Sequence, residues 1–132
     1  MKKLIPELKV SNFKKSLLFY TKLAEFTILY DRLEEEFAML SKEGSQIMIE
    51  SLTSTSRNFE VGPLTYPFGR GINLQIQVSD VNALYENFKK NNYPIFLEIE
   101  EKWYRKKLGK LGNRQFLVQD PDGYLLRFFT RI

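Results

Sequence analysis

One short pattern occurs twice in this chain, and any fold must accommodate both copies. Lys9-Val10-Ser11-Asn12 opens the first copy and Gln77-Val78-Ser79-Asp80 opens the second. An offset of 68 residues carries Val10 onto Val78, Asn12 onto Asp80 and Tyr20 onto Phe88. Before the second opening, Ile72, Leu74, Ile76 and Val78 alternate with Asn73, Gln75 and Gln77. A period of two marks a strand with one face buried. Asp80 then caps a helix whose apolar stripe is Val81, Leu84, Tyr85 and Phe88. The first copy repeats the plan. Leu4 to Val10 is a strand, with Pro6 placing it at an edge. Ser11 or Asn12 caps a helix carrying Phe13, Leu17, Tyr20 and Ala24 on one stripe.

Each helix is followed by strand patterns. In the first copy these are Phe26–Tyr30, Phe37–Leu40 and Gln46–Leu52, with a turn at Glu43-Gly44-Ser45. In the second they are Ile95–Ile99, Gln115–Gln119 and Tyr124–Thr130, with a charged loop over Glu100–Asn113 and a tight turn at Asp120-Pro121-Asp122-Gly123. Residues 53–70, rich in Ser, Thr, Pro and Gly, read as a linker. The class is α+β: two tandem βαβββ units, about 4–52 and about 71–132, in a single domain spanning 1–132. One helix covers only one face of a four-stranded unit. Two units can therefore curl side by side into a cupped mixed sheet with helices outside and a lined hollow within.

The 132 residues include no histidine and no cysteine. Disulfides, thiolate chemistry and Cys-based zinc sites are excluded. No apolar run reaches the roughly 20 residues a membrane-spanning helix needs. Charges at Glu7 and Lys9 interrupt any signal-peptide core, so the chain reads as cytoplasmic. Net charge is +4. Its densest basic stretch, Lys102-Trp103-Tyr104-Arg105-Lys106-Lys107 with Lys110, reads first as a solvated loop. The other reading, a phosphate-gripping and base-stacking segment, ranks last, so nucleic acid is not the expected partner.

The paired units, the two openings and the closing run Gln115-Phe116-Leu117-Val118-Gln119-Asp120-Pro121-Asp122-Gly123-Tyr124-Leu125-Leu126-Arg127-Phe128 resemble the vicinal-oxygen-chelate superfamily, in particular its glyoxalase/bleomycin-resistance branch. The likeness covers the whole chain. It implies that each unit contributes two metal-ligand positions to the cup, which fall here on Ile5, Glu50, Asn73 and Arg127. Divalent metals of that family are held by His, Glu or Gln. Ile5 cannot coordinate, Asn73 is a poor ligand, and Arg127 puts a guanidinium where a cation would sit. The expectation is no metal and no cofactor.

The resemblance further implies a homodimer with a small molecule in a groove between subunits, and an edge strand at Leu4–Val10 suits such pairing. The resemblance implies that Glu50, Asn73 and Arg127 face the cup, and strand parity adds Glu7, Met48 and Gln75 as ligand-binding candidates on the same faces. Trp103 and Tyr104 are aromatic candidates at the rim, and Leu111 stands where the family has a groove tryptophan. Glu50 and Arg127 are also candidates for a structural ion pair. The leading reading is a metal-free binding protein that sequesters an antibiotic or other polar aromatic ligand. The alternative is a glyoxalase-like lyase or isomerase using Glu50 or Glu7 as base and Arg127 as electrostatic stabiliser. The family's drug binders tend to be acidic and their drug cationic, whereas this chain is basic.

Overall fold

The computed structural model describes residues 2–54 and 59–132. The first half runs β1 (Glu7–Val10), α1 (Phe13–Leu18), a π-helical turn (Phe19–Leu23), β2 (Thr27–Arg32), β3 (Phe37–Lys42) and β4 (Ser45–Ser51). The second runs β5 (Asn73–Gln77), α2 (Val81–Lys90), β6 (Leu97–Lys106), β7 (Gly109–Gln119) and β8 (Leu125–Arg131). Of the linker expected at 53–70, residues 55–58 lie outside the described residues, and 59–70 contain neither helix nor strand.

The repeat is visible in the caps and in the topology. Asn12 Oδ1 accepts the Lys15 N–H and Asp80 Oδ1 accepts the Ala83 N–H, both at 3.0 Å. Each thereby satisfies a donor that a helix start leaves unpaired. The strand orders are β1-β4-β3-β2 and β5-β8-β7-β6. In each half the first strand lies parallel to the last, and the other pairs are antiparallel.

Both halves pack into one core. Leu8, Val10, Ala38, Leu40, Ile47 and Ile49 of the first sheet join Ile76, Val78, Phe116, Val118, Leu126 and Phe128 of the second, around Tyr20 and Phe88 from the helical segments. The π turn matters here. Its wider winding, with Ala24 N–H bonded to Phe19 C=O at 3.0 Å, lets the adjacent Phe19 and Tyr20 both bury. Polar stitches close the junction. Ser11 N–H and Oγ–H donate to the Asp122 carboxylate at 3.0 and 2.5 Å, Tyr124 O–H donates to Lys9 C=O at 2.9 Å, and Tyr20 O–H donates to Asp120 Oδ2 at 2.8 Å. The Asp120–Gly123 turn is thus also the latch that ties the second half to the first.

Three expectations need correction. The stretch Glu100–Asn113 is not a loop: β6 and β7 form a long hairpin in which Lys106 pairs with Gly109. Strand β6 is largely exposed on both faces, so no apolar alternation marked it as strand. Cross-strand pairing holds it instead. The two sheets share no ladder; they meet along β1 and β5, where Pro6, Glu7 and Leu8 face Ile72 and Leu74 across a groove. The free edge of β1 therefore faces β5 of its own chain rather than open solvent. Ile72, expected against the helix, is 65% exposed on that groove.

Candidate functional site

The face of each sheet turned away from the helices carries the polar candidates. On the first sheet, Lys9 pairs across to Glu50, and Glu50 to Phe37. Lys9 Nζ donates to Glu50 Oε1 at 2.5 Å, with both residues buried. Two such charges leave water only when they neutralise each other. The next row joins Glu7, Met48 and Met39. Glu7 is exposed and Met48 is half-buried.

On the second sheet, register aligns Gln75, Arg127 and Leu117 in one row, and Gln77, Phe129, Gln115 and Glu100 in the next. Arg127 Nη2 donates to Gln75 Oε1 at 2.6 Å, and Nη1 approaches the Tyr104 hydroxyl at 3.4 Å. Gln115 links that hydroxyl to Glu100, donating from Nε2 at 3.0 and 2.9 Å. Arg131 Nη1 donates to Asn113 Oδ1 at 2.5 Å and its guanidinium lies 4.8 Å from the Phe129 ring centre. The surface is amide-rich, with aromatic rings and two guanidinium groups. Arg127 Nε is buried without a hydrogen-bond partner. Burying such a donor is unfavourable unless something else satisfies it.

The candidates therefore separate into groups. Arg127, Gln75 and Tyr104 are brought together. Asn73 is exposed at the start of β5, two residues before Gln75, and Leu111 pairs with Tyr104 on the arm. Glu50 and Arg127 do not form the ion pair expected of them: Glu50 is held by Lys9, and Arg127 by Gln75 and Tyr104. Trp103 is adjacent to Tyr104 in β6 and so faces the opposite way. It packs over Gly112, where an added Cβ would lie 2.6 Å from the indole Cζ3. Gly112→Ala is accordingly expected to displace the indole and red-shift its emission. The steady-state spectrum of this sole tryptophan checks it, and an unchanged spectrum would place the ring elsewhere.

Gln115, Asn113 and Arg131 were missed. Lys9 was legible as a neighbour of Glu7 on the same face. Gln115 and its contact with Tyr104 were hidden, because the register of β6 on β7 could not be read while that stretch was taken for a loop.

The four implied ligand positions do not fit a divalent metal. Glu50, the one good ligand among them, is already bonded to an ammonium, and Arg127 adds a second fixed cation. Among the described residues no group of three or more Asp or Glu gathers to hold an ion.

Comparison with known proteins agrees with this architecture. No protein-family model matches the chain. A bleomycin resistance protein of Geobacillus stearothermophilus is 28% identical over 139 residues, covering 97% of this chain and 96% of that protein. The crystal structure of TioX from Micromonospora sp. ML1 matches with a TM-score of 0.76 at 18% identity, covering 100% of each chain. A glyoxalase/bleomycin resistance protein/dioxygenase from Alicyclobacillus acidocaldarius matches with a TM-score of 0.63 at 16% identity, covering 98% of this chain and 90% of that one.

Proposed function

We propose that the chain is a member of the vicinal-oxygen-chelate superfamily, in its glyoxalase/bleomycin-resistance branch, and that it is a metal-free binding protein that sequesters a polar, partly aromatic small molecule. The observation that carries this reading is the Lys9–Glu50 pair. It occupies the one good metal ligand among the implied positions, which is also the buried member of the two candidate bases, Glu50 and Glu7. Glu50 Oε1 is bonded to a buried ammonium at 2.5 Å and so is engaged within the protein rather than open to a metal or a substrate. The amide and aromatic face of the second sheet suits recognition: amides orient polar edges, and rings stack on flat ones.

The site would act within a homodimer. The outer strand β2 supports this, since Ile28, Leu29 and Tyr30 are 41, 50 and 42% exposed. An apolar edge of this kind is usually covered.

The test is equilibrium dialysis of the protein, in chelator-treated buffer, against a panel of aromatic antibiotics that includes bleomycin. The expected result is retention of a panel member at about one per chain, recovered unchanged in mass and chromatographic retention. A recovered compound altered in either respect would establish turnover and sink the binding-protein reading. Size-exclusion with light scattering reports the dimer; a monomer at all concentrations would count against it.

A further inference from the structure

We propose that the ligand of this chain is an organic anion, whose carboxylate, sulfonate or phosphate oxygens dock on the Arg127 guanidinium. This rests on the binding reading above and narrows it to one charge class. The first observation is the state of Arg127. A guanidinium carries five N–H donors and no acceptor. Gln75 and Tyr104, both uncharged, are its hydrogen-bond partners, and Nε is buried with none. Among the described residues no carboxylate lies within ion-pair distance of it, whereas the buried Lys9 has one. Lys9 is thus neutralised within the protein, whereas the charge of Arg127 is met only by an amide oxygen and a phenol hydroxyl and is available to an external anion. A planar oxyanion is the natural partner, because it accepts two parallel N–H bonds from the fork.

The second observation is independent of Arg127. Gln75, which holds the guanidinium, also lines a groove of about 500 Å³ between β5 and the beginning of the chain. Its wall includes Lys2, Lys3, Gln46 and Asn73 and contains no Asp or Glu. Gln75 is thus common to the Arg127 contact and to the groove that the two lysines line. A low-dielectric groove walled by one sign of charge concentrates ligands of the other sign. On the face of the second sheet itself, Arg127, Arg131 and Lys102 outnumber the single carboxylate of Glu100, which is bonded to Gln115. A cationic drug would meet repulsion here, whereas an aromatic acid would find a charge partner and rings to stack on.

The test compares two fluorescent probes that differ by one sulfonate: 8-anilinonaphthalene-1-sulfonate and its neutral parent, N-phenyl-1-naphthylamine. Each is titrated into the full chain at low and high salt. The sulfonate is expected to saturate at about one per chain and to bind at least about tenfold more tightly than the neutral probe. Arg127→Gln should abolish that preference without weakening the neutral probe, and Arg127→Lys should keep part of it. The exposed double variant Lys2→Gln/Lys3→Gln, which removes no core contact, should weaken the sulfonate by a smaller, salt-sensitive factor. Equal affinities for the two probes, or a preference that survives Arg127→Gln, would overturn the anion assignment and leave the binding reading standing. Saturable binding of neither probe would overturn both.

Discussion

Phe88→Ala is expected to cost about 3–5 kcal/mol and to lower the melting temperature by roughly 10–20 °C. Phe88 is fully buried on α2. Its ring centre lies 5.6 Å from Tyr93, 5.7 Å from Phe116, 5.8 Å from Phe19 and 6.2 Å from Phe128. Two of those neighbours belong to the second sheet, and Phe19 belongs to the first half of the chain. Truncation therefore removes both the transfer free energy of a phenyl ring and the contacts that join the halves. The cavity cannot close easily, because the surrounding rings are held by the second sheet on one side and by the π turn of the first half on the other. Urea and thermal unfolding measure the effect. A loss under about 1 kcal/mol would show that the halves are joined mainly through the polar latch.

Asp120→Asn should stabilise the protein increasingly as pH rises, reaching about 3 kcal/mol at neutrality. Burial pushes the Asp120 carboxyl up from 3.8 to about 6, against the lowering effect of hydrogen bonds from Tyr20 and from the backbone N–H groups of Tyr124 and Asp122. The folded state thus holds this proton more tightly than the unfolded chain does. The group's favourable contribution is complete below about 3.8 and is lost as pH rises through about 6. The asparagine variant, always neutral, escapes that loss and retains an acceptor for the two backbone donors. Parallel denaturation curves at pH 4 through 8 test the claim. A stability difference that does not change across this window would mean that the carboxyl titrates normally.

Much of the fold was legible before any coordinates. The two openings, their caps at Asn12 and Asp80, and the alternation from Asn73 to Val78 depend on local hydrogen bonding and on which face is buried. Both leave periodic marks in a sequence. The β6–β7 arm left no such mark. Strand β6 is largely exposed on both sides, so its identity rests on pairing with β7, which local composition does not record. The site divides the same way. Parity puts Gln75 on the cup face, and the family resemblance puts Arg127 there. That they touch follows from the parallel register of β5 on β8, and that Tyr104 joins them follows from the register of the arm.

The sequence by itself determined the repeated βαβββ plan, the absence of imidazole and thiolate ligands, and the residue types on each strand face. Only the tertiary structure decided who partners whom. Lys9 lies beside Glu50 because β1 runs parallel to β4 in one particular register. Arg127 is left to amides because the strands flanking it present no carboxylate at its height. Electrostatic pairing operates over a few ångströms, and residues that far apart in space are here 41 and 52 positions apart along the chain.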